Sequence, residues 1–108
     1  MEFKELSQHA LEIRDMYSAQ AKAQGVTPWG AREHMEGFVG DVGDLIKLVM
    51  AKNGLRDYPD VDQKLAHELS DCLYSVMVIA DELHLDLERA FLNTMRELAE
   101  RIRQQKNK

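Results

Sequence analysis

The sequence predicts an all-α fold: one antiparallel four-helix bundle spanning residues 1–108. Three observations lead there. Apolar residues recur at intervals of three and four, not in alternation, through most of the chain. Breaking signals cluster at Gly25 to Pro28, Asn53 to Pro59 and His84 to Asp86. The chain has 108 residues, 44% hydrophobic and 31% charged, the balance of one globular domain rather than of disorder.

Helix one is expected over Glu2 to Ala23, with Phe3, Leu6, Ala10, Ile13, Tyr17 and Ala21 on one face and Gly25 as its stop. Thr27 and Pro28 read as an N-cap and a first helical residue, opening helix two, which runs to Lys52 and ends at Asn53-Gly54. Asp60 with Gln63 resembles a capping box for helix three, which reaches Leu83. Asp86 caps helix four, which runs toward Arg103 with Ala90, Phe91, Met95, Leu98 and Ile102 apolar, leaving 104–108 as a frayed tail. Short connections make successive helices antiparallel neighbours. So much apolar helix exceeds what one small monomer covers, so a homodimer or homotetramer is expected to complete the bundle.

The net charge of −5 argues against a nucleic-acid polymer as partner. A single cysteine, Cys72, allows no internal disulfide. The opening residues MEFKELS lack the pattern of a signal peptide, and the most apolar run, CLYSVMVIA, is too short to span a bilayer. A cytoplasmic protein without membrane attachment is expected.

The stretch GDVGDL, residues 40 to 45, places Asp41 and Asp44 three apart beside an apolar stripe of Phe38, Val42, Leu45, Ile46 and Val49. HELSDCL, residues 67 to 73, repeats the device: Glu68 and Asp71 flank a stripe of Leu65, Leu69, Cys72, Val76 and Ala80. At about 100° per residue, the first acid of each pair falls at the stripe's margin and the second about 60° further out. Residues 72 to 79 are apolar nearly all round, so acids beside them lose water. Two such pairs brought together repel, and Lys47 is the only cation near those faces. A divalent metal held by hard oxygen ligands, magnesium or manganese, resolves the conflict. A solvated acidic face is the alternative for either pair alone. Gly37, Gly40 and Gly43 lie inside the same helix, which implies close approach of a ligand or of another helix.

These residues resemble a family. VGDVGDLIKL is similar to VGEVGELAEL, and HELSDCLYSVMVIADELHLDLERAF to ELADVLxYLxxLAxxxxVDLxxA, segments of the MazG-like all-α nucleoside triphosphate pyrophosphohydrolases. The resemblance covers about residues 36 to 92. It implies cleavage of a nucleoside triphosphate to a monophosphate and pyrophosphate, with magnesium held by Asp41, Asp44, Glu68 and Asp71, in a dimer or tetramer. The chain departs from the family in having Asp for Glu at the first pair, Gly40 for a preceding acid, and Thr94 and Leu98 where relatives carry a lysine and an asparagine. Those departures leave room for a non-catalytic helical interaction module, or for a nucleotide or metal sensor.

Around the acids, Trp29 is placed either to stack on a base or to pack in a core or interface. Tyr58 reads as a lid contact or an exposed turn residue. Lys52, Arg56, Lys64 and Arg89 are the cations that can reach phosphates. The four histidines have no zinc spacing, and Asp81 with His84 lacks the second half of a di-iron site.

Overall fold

A computed structural model describes residues 1–54 and 59–106. Four helices account for nearly all of them: α1 (Phe3–Ala23), α2 (Ala31–Lys52), α3 (Val61–Glu82) and α4 (Leu87–Lys106). No strand occurs among the described residues, and none of their helices is long and apolar enough to cross a membrane.

Two of the expected boundaries move. α2 starts at Ala31 with Gly30 as its N-cap, not at Thr27 and Pro28. The cause is local. His34 lies one turn in, and its Nδ1 donates to the Gly30 carbonyl at 2.8 Å, fixing the helix start there. Asp60 does cap α3, but its backbone is left-handed (φ 56°) and its side chain makes no capping bond, so the expected capping box does not form. Asp86 behaves as expected, its Oδ1 accepting the Arg89 N–H at 3.1 Å. α4 continues through Lys106, past the expected end at Arg103.

α1 and α3 end in the same way. Gly25 (φ 72°) follows α1 and His84 (φ 59°) follows α3. In each, the next residue's N–H returns to a carbonyl five back: Val26 to Ala21 at 2.8 Å and Leu85 to Ala80 at 2.9 Å. Glycine adopts this conformation freely, whereas histidine carries a Cβ into it.

α2 and α3 form an antiparallel hairpin tied at both ends. Lys52 Nζ lies 2.7 Å from Asp62 Oδ1 at one end, and His34 Nδ1 lies 2.8 Å from Glu82 Oε1 at the other. Both neighbours of that nitrogen are acceptors, so Nδ1 carries the hydrogen. It is directed at Gly30, which leaves the buried Glu82 Oε1 without a hydrogen-bond partner among the described residues. α1 packs on α3, with Arg14 Nη1 2.6 Å from Asp81 Oδ2. The buried centre is small: Ala10, His34, Leu48, Ala51, Ser75, Met77, Val78 and Ala80. The expected burial of residues 72 to 79 therefore holds at Ser75, Met77 and Val78.

The predicted stripes enter the core only in part, at Ala10 and Ala80. Ile46, Val49 and Leu69 are each about half exposed, as are Leu6, Ile13 and Tyr17 on α1. The faces turned inward are the neighbouring ones, which carry Leu48 and Ala51 on α2 and Met77 and Val78 on α3. α2 and α3 are apolar over more than one face, and Leu48, Met77 and Val78 are the large side chains that become buried. α4 meets α3 sparsely and buries none of its residues. Within one chain, then, α1, α2 and α3 pack together and α4 projects. The radius of gyration is 17.5 Å, against about 13 Å for a compact domain of this length.

The left-handed His84 yields a test. His84→Gly is expected to stabilise the fold by about 1 kcal/mol, since a side chain in this conformation costs roughly 1–2 kcal/mol. Thermal denaturation should show Tm rising by about 4–8 °C. An unchanged or lower Tm would mean that the His84 side chain offsets its backbone cost.

Candidate metal centre

The hairpin register places the two acid pairs opposite one another. Asp41 and Asp44 from α2 and Glu68 from α3 each bring one carboxylate oxygen to within 4.8 Å of the others. Asp44 is exposed, while Asp41 and Glu68 are partly buried. Glu68 Oε2 is shielded from solvent and has no hydrogen-bond partner among the described residues.

Burial raises the Asp41 carboxyl above its ordinary value, helped by the charges of Asp71 and Asp44 and opposed by His67. Glu68 is raised for the same first reason, then by Asp71, Asp41 and Asp44. Burial, with Asp41, Glu68 and Asp71, also pushes the Cys72 thiol up, so Cys72 stays protonated and unreactive at neutral pH. Asp71 is thus near enough to act on all three, yet its oxygens are not in the converging set. Its Oδ2 lies 3.2 Å from His67 Nε2, one turn back on α3. Of the four predicted ligands, three come together and the fourth stands beside them with a histidine.

A cavity of about 420 Å³ adjoins the carboxylates, lined by Asp44, Lys47, Leu48, Lys64 and Glu68. Lys64 is therefore where the sequence reading placed a phosphate contact. Lys47 was not in that set, although its position three residues after Asp44 put it one turn along α2. The other predicted contacts lie elsewhere. Lys52 is held by Asp62 at the end of the hairpin. Arg89 sits at the start of α4 near Lys4, Asp86 and Asn93. From Glu68 to the end of α3 at Glu82 is already about 21 Å along the helix axis. Arg56 and Tyr58 lie outside the described residues. Thr94 and Leu98 are on the exposed α4.

Trp29 is 58% exposed, so it is not a core residue. Its ring lies across α2 at Gly37, where an added Cβ would come within 3.2 Å of it. Gly37 is thus explained by the tryptophan, whereas Gly40 and Gly43 meet nothing within 4 Å. Trp29 also stands edge-on to His34, with centroids 5.6 Å apart. It borders a second cavity, of about 330 Å³, with Tyr17, His34 and Tyr74. Gly37 precedes Asp41 by one helical turn, about 6 Å along the axis.

The donor set fits a hard divalent cation. All three groups offer oxygen, and ligands at about 2.1–2.5 Å from an ion lie at most about 4–5 Å apart. The unpartnered Glu68 Oε2 supplies a lone pair with no other use. No family model matches the chain, and neither the curated proteins nor the solved structures contain a match to it.

The raised carboxyls set the sign of a pH effect. A carboxyl whose folded value exceeds its unfolded value favours folding below the unfolded value and loses that contribution as pH rises through the folded one. Metal-free protein at neutral pH therefore carries the full repulsion. Asp41→Asn is expected to raise Tm by a few degrees at pH 7 in the presence of chelator, and the gain should shrink as pH falls toward the ordinary carboxylate range. A drop in Tm at pH 7 would show that Asp41 is already neutralised within the chain.

Proposed function

We propose that this chain is a metal-dependent nucleoside triphosphate pyrophosphohydrolase of the MazG-like kind, converting a ribo- or deoxyribonucleoside triphosphate and water to the monophosphate and pyrophosphate. One observation carries the reading: three carboxylates from two facing helices converge beside a cavity edged by two lysines. The resemblance of both acid segments to the family supports it independently.

Asp41, Asp44 and Glu68 would hold magnesium or manganese, with Asp71 and its partner His67 at the edge. When bound, the cation supplies neutralising charge to the phosphates and a more acidic water. The chain's own groups do the rest. Lys47 and Lys64 flank the acids and meet phosphate oxygens. One carboxylate of the set would orient the attacking water. Trp29, rigidly seated on Gly37, offers an exposed aromatic face to the base.

The test is an incubation with a panel of nucleoside triphosphates and either metal, with identification of products. Monophosphate and pyrophosphate are expected, without diphosphate and phosphate, and chelator should abolish them. Glu68→Gln should cut kcat by at least about 100-fold while helical content stays the same. Thermal stabilisation by metal without product would replace this reading with that of a sensor. Neither product nor stabilisation would leave the carboxylates as an acidic surface.

A further inference from the structure

The cavity of about 330 Å³ is walled by Tyr17 of α1, Trp29 ahead of α2, His34 of α2 and Tyr74 of α3. Arg14 also lines it, but its guanidinium is already held by Asp81 at 2.6 Å and Asp15 at 3.0 Å. Three aromatic walls and a matched charge suit a flat, uncharged ring rather than an anion.

His34 gives this cavity a polarity. The residue is 8% exposed. Its Nδ1 lies 2.8 Å from both the Gly30 carbonyl and Glu82 Oε1, so that nitrogen holds the hydrogen and Nε2 is an acceptor. Nε2 makes no hydrogen bond among the described residues, yet it is not one of the sealed unpartnered atoms, which are Glu68 Oε2 and Glu82 Oε1. It therefore reaches open space, and the open space that His34 lines is the cavity. The polarity is fixed. A neutral ring with its hydrogen on Nε2 would turn the Nδ1 lone pair on two acceptors at 2.8 Å.

Position ties the cavity to the carboxylates. His34 precedes Asp41 by seven residues, so it lies on the same side of α2, about 10 Å along the axis. Tyr74 follows Asp71 by three residues, about 4.5 Å along α3. A nucleotide whose phosphates meet the acid cluster would bring its base, through the sugar, to this cavity.

We infer that His34 reads the base. Its Nε2 accepts a hydrogen bond from an exocyclic amine, so the chain selects the amino bases cytosine and adenine over their keto counterparts uracil and hypoxanthine. The inference rests on the nucleotide reading above and adds which bases enter. A keto oxygen at that place sets acceptor against acceptor and leaves both unpaired. Glu82 is a positioning residue, which acts through the tautomer of His34.

The experiment separates base reading from turnover. Free nucleosides are titrated against the full chain in the presence of chelator, and binding is read from the emission of Trp29, the single tryptophan. Cytidine should bind at least about tenfold more tightly than uridine, and adenosine than inosine. Glu82→Gln can donate to Nδ1, which frees the hydrogen for Nε2, so the preference should shrink toward unity while Trp29 still responds. His34→Phe keeps a ring against Trp29 and should abolish the preference. Circular dichroism checks that both variants remain helical. In the unaltered chain, equal affinities, a preference for the keto nucleosides, or no response of Trp29 to any nucleoside would overturn the inference, whatever the variants do. An amino preference that both folded variants retain would overturn it as well. Neither metal nor triphosphate is present, so a failure here leaves the pyrophosphohydrolase reading to its own product test, and absence of turnover leaves this titration readable.

Discussion

The mutual repulsion of Asp41, Asp44 and Glu68 is the constraint around which the hairpin is built. Three carboxylates whose oxygens approach within 4.8 Å do not assemble for their own stability. The positions on either side hold them there. The His34–Glu82 and Lys52–Asp62 pairs pin the two ends of α2 and α3, and Leu48, Ala51, Ser75 and Val78 pack between. Lys52–Asp62 is solvent-exposed and worth little energy by itself. Its value lies in register, because sliding one helix past the other by a turn would move the acids about 5.4 Å apart.

That hairpin explains where the apolar surface goes. The buried faces of α2 and α3 carry Leu48, Ala51, Ser75, Met77 and Val78. The large residues Ile46, Leu69 and Leu73 are left outside. α1 covers only the side of α3 that carries Tyr74 and Asp81. The small core and the projecting α4 are therefore two results of one packing choice.

Helix number, order and type were legible in the sequence because three clusters of breakers stand out against an otherwise helical spacing. The acid cluster was legible because each pair sits at the same offset from an apolar run. The facing of the helices was not legible. α2 and α3 have apolar residues on several sides, so the widest stripe looked like the core although Leu48, Ala51, Met77 and Val78 beside it are the residues buried. The start of α2 was misread for a related reason: Thr27-Pro28 is a good local signal, but the bond from His34 to Gly30 and the seat of Trp29 on Gly37 override it. Asp71 was grouped with the other ligands by its offset and by the resemblance, and its contact to His67 is one that neither reveals.

The short acids on α2 fit this geometry. Each aspartate reaches one methylene less far than a glutamate would. Asp41 and Asp44 nonetheless meet Glu68, because Glu68 keeps its full length and reaches across from α3, where one of its oxygens is sealed from solvent. Shorter side chains also lose fewer rotamers on ordering, so the α2 pair is held more stiffly than a pair of glutamates would be. The reach missing from α2 is supplied by α3, which brings all three carboxylates together.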